Sequence, residues 1–341
     1  MDKEERKREQ IILKVLKKVA PGTELRSGLD LILSGKMGAL IVLGGQKEVL
    51  KICNGGFEIN CPFTSHKLFE LAKMDGAIIV DDEIEKIRFA NVHLVPDPTL
   101  PSSETGIRHR TAERAAEQTK AIVISISQSR DVVSLYIEGR KHILEDIKIV
   151  LTKANQALQT LERYRVRLDQ VSSNLSALEF EDFVTISDVI NVIQRGEMVE
   201  RIAREIGRYI IELGSEGRLI RMQLDELMIG IMDENMMVTR DYCLKRKDPN
   251  KIKQKISELS SEQLFDQLEV IKCLGYEANI ANLDKSVHPK GYRLLRKIPR
   301  LPLSVVNKIV KKFFDLQNIL EASVEELDDV EGVGEVRAKA I

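Results

Sequence analysis

Between residues 38 and 127 the chain alternates short apolar runs with stretches of helical period. GALIVLG (38–44), GAIIVDD (76–82), FANVHLV (89–95) and AIVISIS (121–127) are rich in β-branched residues and too short for helices. That is the pattern of strands buried on both faces. TSHKLFELAKM (64–74) and RTAERAAEQT (110–119) carry the helical period between them. Residues 1–140 are therefore expected to form an α/β domain, a central sheet flanked by helices.

From about residue 141 the texture changes. Leu144, Ile147, Leu151, Ala154, Leu158 and Leu161 recur at spacings of three and four, and Leu168, Val171, Leu175 and Leu178 resume the series. The spacing predicts one long helix with a coiled-coil-like seam. Further helices are expected over about 187–212, 218–244 and 260–274, with Ser187 and Ser260 as N-caps. Residues 141–288 thus read as an elongated, all-α spacer with no catalytic constellation. In the third segment, 289–341, eight Lys or Arg and no acid fall between Pro289 and Phe314, after which the charge turns acidic.

Composition narrows the field. A chain of 341 residues has room for two or three domains. With 52 basic and 53 acidic side chains no global field points to nucleic acid, so any basic surface must be local. Aromatic residues make up 4 % and Trp is absent, which is lean for a binder that stacks bases. Cys53, Cys61, Cys243 and Cys273 show no metal-ligand spacing and are expected to be buried free thiols. The charged, amphipathic start MDKEERKREQIILKVLKKVAPG has no apolar signal region, and no run is long enough to span a bilayer. The expectation is a soluble, cytoplasmic protein without a membrane partner.

Near the C-terminus, VEGVGEVRAKAI (330–341) has the form apolar–x–Gly–apolar–Gly–x3–Ala–x2–Ile. Gly332 and Gly334 permit a tight turn that exposes backbone N–H groups at the start of a helix, which grips a phosphate without reading a base. IPRLPLSVVNKI (298–309) repeats the spacing with Arg300 and Pro302 in the glycine places, though proline has no N–H to donate. Together the two turns resemble a tandem helix-hairpin-helix domain of the kind found in DNA repair proteins. Arg300, Lys308, Lys311, Lys312, Gly332, Gly334 and Arg337 are the expected DNA contacts, sequence-independent and sensitive to salt. Only seven residues follow Gly334, so the last helix is expected to be short and a tail to be missing or disordered.

TGIRHRTAERAAEQ (105–118) sets Arg108, His109 and Arg110 at the entrance to a helix. A helix N-terminus already carries partial positive charge, so cations there make sense where an anion normally sits. About thirty residues earlier, Asp75, Gly76 and Ala77 close a helix and open a strand. Taken singly, DGA is most often a plain turn and RHR a solvated surface. In this order they supply a carboxylate for Mg²⁺ or for a base, and cations for phosphate charge. Those are the parts of phosphoryl or nucleotidyl transfer. Neither Walker A nor GxGxxG is present.

On DGA, RHRTAER, ISDVINVIQRGEMV, IPRLP and VEGVGEVRAKAI, the whole chain resembles the bacterial DNA integrity scanning (DisA) family of diadenylate cyclases. The resemblance implies a cyclase domain (1–140), a helical linker or spine (141–288) and a double hairpin (289–341). In that family two ATP molecules condense to cyclic di-AMP and two pyrophosphates with Mg²⁺ or Mn²⁺. The proteins form octamers of facing cyclase rings, and branched or junction DNA bound by the tails inhibits synthesis. A nucleoid-associated role in the response to DNA damage follows. Carried over, Asp75 would bind the metal and help activate the ribose 3′-hydroxyl. Gly76, with Ala77, would pack against the nucleotide, and Leu94 would line the adenine pocket. Ile107, Arg108, His109, Arg110 and Thr111 would contact phosphate and ribose, and Ser127 a phosphate. Arg108 and Arg110 would be catalytic. His109 is either a phosphate donor or a packing element of the motif. Ile107 stands where the family carries Thr, which puts a hydroxyl contact there in doubt.

Two rival readings are a junction-binding architectural protein that holds a cyclic dinucleotide without making it, and a structural oligomeriser built on the seam. A receptor has no need of a metal-binding carboxylate, and an oligomeriser explains neither the arginines nor the hairpins.

Overall fold

The computed structural model describes residues 3–44, 46–244 and 247–341; the first two residues of the charged N-terminal stretch lie outside them. The α/β part comprises α1 (Lys3–Lys18), α2 (Glu24–Ser34), β1 (Ala39–Leu43), α3 (Gln46–Lys51), β2 (Cys53–Asn54), β3 (Phe57–Pro62), α4 (Ser65–Leu71), β4 (Ala77–Val80), β5 (Lys86–Leu94), α5 (Ile107–Thr119), β6 (Ile122–Ser127), β7 (Val132–Ile137) and β8 (Arg140–Ile143). The eight strands form a mixed sheet in the order β2-β5-β4-β1-β6-β7-β8, with β3 also on β5. Only β1 and β4 pair in parallel; the other pairings are antiparallel.

The four apolar runs are the central strands, and β1 and β4 are buried along their full length. Strands β2, β3, β7 and β8 are not among the predicted ones. In β2, β3 and β8 exposed residues break the apolar run, which is the signal that marks the other strands. On one face of the sheet Leu25, Leu29, Ile32 and Leu68 of α2 and α4 pack on Ile41, Leu43, Ile78, Val80 and Ile124. On the other, α5 lays Ala112, Ala115 and Ala116 against Val42, Ile79, Val123 and Tyr136. Small side chains let that helix lie close to the strands, so a side chain in its first turn can reach the sheet edge.

The remaining helices are α6 (Ile147–Glu181), α7 (Ile186–Leu213), α8 (Arg218–Leu227), α9 (Ile231–Tyr242), α10 (Pro249–Glu258), α11 (Ser261–Phe265), α12 (Gln267–Leu274), α13 (Tyr292–Lys297), α14 (Leu303–Phe313), α15 (Leu316–Glu321), α16 (Val324–Asp328) and α17 (Gly334–Ala338). The seam is one 35-residue helix that starts at Ile147, so Leu144 falls before it, with Ala154, Leu158, Leu161, Leu168 and Leu175 buried. Its first turns rotate away from the expected register: Val150 is buried and Leu151 faces out. Two predicted helices are broken. Gly230, at φ 76°, ends the first half of 218–244, and Asp266 caps a new helix inside 260–274. Ser260 caps α11 in a reciprocal capping box. Ser187 does not cap α7. Thr185 takes that role, its hydroxyl accepting from Asp188 N (3.3 Å) while Asp188 Oδ2 accepts from Thr185 N (3.0 Å). The cysteines are free thiols, but only Cys243 is buried; the other three are partly exposed.

The chain divides into two compact units, residues 1–154 with 208–220, and 155–207 with 221–341. In the second, α13 to α17 close on a core of Leu295, Val306, Ile309, Ile319, Leu327 and Val330, which holds the two hairpins together. Among the described residues no helix is long and apolar enough to cross a membrane.

Candidate active site

The sheet register gathers most of the proposed residues at one edge. Leu40 aligns with Ala77, Ala39 with Ile126, Ala77 with Val92 and Cys53 with Leu94. Gly38 before β1, Asp75 and Gly76 before β4, Ser127 at the end of β6 and Leu94 at the end of β5 are therefore neighbouring strand tips. Helix α5 leads into β6 through Lys120 and Ala121 and packs back along it, which returns its N-terminus to the same edge. The guanidinium of Arg108 lies directly on Gly38: a β-carbon there would stand 2.8 Å from Arg108 Cζ and closer still to Nη1. The two halves of the sequence motif thus meet on one side of the sheet, and Gly38, which sequence reasoning passed over as a strand residue, is what lets Arg108 in.

The helix begins three residues earlier than its pattern suggested. Arg108, His109 and Arg110 occupy its first turn, behind Gly106 as N-cap. No side chain caps this end and no acid lies in the first turn. Three cationic or ionisable groups thus sit on a helix start that has spare N–H groups and no carboxylate capping it. Arg110 is exposed and leans back over the preceding loop, its Nη2 3.2 Å from the Thr105 carbonyl. Asp75 is exposed at its strand tip. Gly76, at φ 117°, runs so close to β5 that a β-carbon would lie 2.8 Å from the Asn91 carbonyl carbon, so local backbone packing already demands glycine there. Ala77 and Leu94 are buried, Thr111 and Ser127 half-buried, and the Ser127 hydroxyl is 3.4 Å from that of Ser129. Ala77 points into the core, so it can offer a ligand only its backbone. Ile107 is 83 % exposed.

Three further residues belong to this neighbourhood. His109 Nδ1 is 3.0 Å from the Tyr136 hydroxyl, which donates to Glu104 Oε1 at 2.8 Å; Lys141 Nζ is 2.8 Å from the same oxygen. Burial works to raise the Glu104 carboxyl, but the hydrogen bonds from Lys141 and Tyr136 prevail and hold it below the ordinary range. Burial pushes the His109 imidazole down, aided by the charges of Lys141, Arg108 and Arg130 against that of Glu104. Burial and the Glu104 carboxylate both push the Tyr136 phenol up, so it remains protonated. Nothing in the local sequence announces this chain, because Glu104 and His109, on a loop and a helix, meet Tyr136 and Lys141, on two strands, only through the fold.

Among the described residues no group of three His, Cys, Asp or Glu could hold a metal ion. A magnesium ion needs no such cage, since it is commonly bound by one or two carboxylates with substrate phosphates and water. A lone exposed aspartate at a strand tip next to the one that Arg108 covers fits that donor set.

At the C-terminal hairpins the basic run is not a single face. Arg293 is fully buried, bonded to both Glu179 oxygens and to Glu234 (3.2 Å); Lys290 donates to the carbonyls of Arg240 and Cys243; Arg296 pairs with Asp233 and Lys297 with Glu234. These four hold α13 to the linker helices. That leaves Arg300, Lys308, Lys311 and Lys312, all exposed. Even there Lys308 pairs with Glu331 (3.0 Å) and Lys312 with Asp329 (3.8 Å) of the second hairpin. Arg300, in a glycine place, adopts φ 61°, and Gly332 and Gly334 take φ 96° and 66°. Arg337 Nη1 donates to the Gly332 carbonyl at 2.6 Å, closing the second turn.

Comparison with known proteins matches three regions of the chain. The family model described as DisA bacterial checkpoint controller nucleotide-binding matches residues 26–141, its linker region matches 144–283, and a helix-hairpin-helix motif matches 315–341. The DNA integrity scanning protein DisA of Carboxydothermus hydrogenoformans is 53 % identical over 337 residues, 98 % of this chain and 96 % of that protein. That of Bacillus subtilis is 51 % identical over 344 residues, 100 % of this chain and 95 % of the relative. Among solved structures, DacA from Staphylococcus aureus, as a double mutant, covers 42 % of this chain and 92 % of its own at 21 % identity and a TM-score of 0.30, too slight a likeness to bear on the fold. Relatives about half identical over nearly the full length, together with the matched nucleotide-binding and linker regions, place the chain in the DisA family of diadenylate cyclases.

Proposed function

We propose that the edge formed by Asp75, Gly76, Leu94, Arg108, Arg110 and Ser127 binds ATP, and that two such edges on facing protomers join two ATP molecules into cyclic di-AMP. The ribose 3′-oxygen of each ATP attacks the α-phosphorus of the other. At each of the two junctions the 3′-hydroxyl gives up its proton to water, helped by Asp75, an O3′–P bond forms, the Pα–O bond to pyrophosphate breaks, and one pyrophosphate leaves. A site assembled from two symmetric halves supplies both attacks. Holding the reactants aligned can lower the barrier by about 7–11 kcal/mol. Arg108 and Arg110 balance the charge that grows on the transferring phosphorus and on the departing pyrophosphate. Asp75 would hold Mg²⁺ or Mn²⁺, which when bound would neutralise phosphate charge. Ile107 and Thr111 flank the triplet, and the exposed Ile107 can contribute only a backbone or apolar contact.

Residues 289–341 are the DNA-binding part, gripping phosphates through the turns at Arg300 and at Gly332–Gly334, with Lys308, Lys311, Lys312 and Arg337 around them. Residues 1–140 act as the cyclase and 141–288 as the linker. The assembly we infer is an octamer of facing cyclase rings, cytoplasmic and nucleoid-associated, whose synthesis falls when branched DNA occupies the hairpins. The observation that carries the reading is the meeting of Arg108 with the strand tip next to that of Asp75, at a helix start that no carboxylate caps.

The test is to incubate the purified chain with ATP and Mg²⁺ and look for cyclic di-AMP by mass spectrometry, with Asp75→Asn in parallel and junction-DNA affinity measured on both. Product from the wild type alone, with equal DNA affinity, is expected. No product from either, in a protein that still binds junction DNA, would make the chain a receptor instead of a synthase.

A further inference from the structure

The contacts around His109 determine which of its nitrogens is free. The Tyr136 hydroxyl has one proton. Glu104, ionised and paired with Lys141, can only accept, so that proton points to Oε1 at 2.8 Å. The Tyr136 oxygen must then accept the 3.0 Å contact from His109 Nδ1, which therefore carries a hydrogen. A neutral imidazole with its hydrogen on Nδ1 keeps its lone pair on Nε2.

This matters because of the company His109 keeps. Arg108 and Arg110 can only donate, and so can the free N–H groups of the helix start. Phosphate oxygens at neutral pH only accept and are served by those donors. A lone pair among them is repelled by phosphate and matched by a hydroxyl. The donors of ATP adjoining its α-phosphate are the ribose hydroxyls. The charged groups facing the ring are Glu104 from the preceding loop, Lys141 from β8, Arg108 from its own helix and Arg130 from the β6–β7 loop. Burial, with the three cations against Glu104, lowers the ring's affinity for a proton.

We propose that His109 is a neutral acceptor whose Nε2 takes a hydrogen bond from a ribose hydroxyl of the bound nucleotide, and that Tyr136 and Glu104 are positioning residues that set its tautomer. The inference rests on the reading of this edge as the ATP site. It removes His109 from the phosphate donors and gives the RHR triplet two functions: arginines for phosphate, histidine for ribose.

Two quantities test it in the full-length protein between about pH 5 and 8, where histidine titrates. One is the rate of cyclic product formation at saturating ATP and Mg²⁺. The other is the preference for ATP over 2′,3′-dideoxy-ATP, measured by calorimetry with EDTA present so that nothing turns over. Both should rise with pH as the ring loses its proton and then level off. Glu104→Gln removes the facing charge that favours the imidazolium, so both limbs should move to lower pH. Tyr136→Phe should lower the rate about tenfold, the size of one positioned hydrogen bond. Single-deoxy analogues then show which hydroxyl is held. A rate or a preference that falls as pH rises would make His109 an imidazolium donor and overturn the proposal. So would a Glu104→Gln variant that loses rate equally at every pH, as a merely structural role requires. No product at any pH, with the ribose preference and its pH limb intact, would sink the cyclase reading and leave the His109 assignment standing.

Discussion

Gly38→Ala isolates the reach of Arg108 from every other property of the site. Gly38 does not sit at positive φ, so alanine fits its backbone. The added methyl, however, would overlap the Arg108 head, with Cζ only 2.8 Å away. The obstructing atoms are the far end of a flexible side chain, so the guanidinium swings aside and the fold loses little. Removing one donor aimed at transition-state charge costs a factor of about 10²–10³ in rate, roughly 2.7–4 kcal/mol, which bounds the effect of Arg108→Ala. Displacing the group without deleting it should cost less, about 10- to 100-fold. The assay is initial-rate formation of cyclic di-AMP by the two single variants and the double variant, with melting temperature followed in parallel. If Gly38 acts through Arg108, the double variant is no slower than Arg108→Ala. Additive losses, or a large fall in melting temperature, would refute the reasoning, because glycine would then be needed for the strand itself.

Three other expectations follow from the second unit. Arg293→Ala strips the buried Glu179 of its cation and should destabilise that unit by about 3–5 kcal/mol in urea unfolding; a loss under about 1 kcal/mol would mean that water replaces the guanidinium beside the Tyr242 hydroxyl already bonded there. Burial pushes the Asp241 carboxyl up to about 7, above its unfolded value of about 3.9. The folded state therefore binds the extra proton between those pH values, and the stability this contributes, full below about pH 4, should drain away as pH rises to about 7; Asp241→Asn should flatten that slope. At the hairpins, Glu331→Gln with Asp329→Asn frees Lys308 and Lys312 and should tighten junction-DNA binding several-fold, whereas Lys311→Ala should flatten the slope of log affinity against log salt by about 0.9. Unchanged affinity in the first case and an unchanged slope in the second would place those side chains off the DNA path.

The sequence by itself determined the elements whose signal is local. Buried strands need unbroken apolar runs, so β1, β4, β5 and β6 were legible from residues 38–127, and the three-four spacing fixed the 35-residue helix. The turns at Gly332 and Gly334 were legible because positive φ selects glycine, and the clash of cations with a helix start flagged Arg108–Arg110. What the sequence left out depends on pairing across long separations. Exposed positions hide β2, β3 and β8, and nothing local says that Gly38 must be bare for an arginine seventy residues on. The basic run shows the same limit most sharply: read along the chain it is one cationic stretch, yet packing sends Arg293 into a buried carboxylate and leaves Arg300 in solvent. Charge is a property of the residue, but what that charge faces is decided by the tertiary structure. The His109 tautomer follows the same rule, since a phenol on β7 and a carboxylate in a loop choose which nitrogen is free.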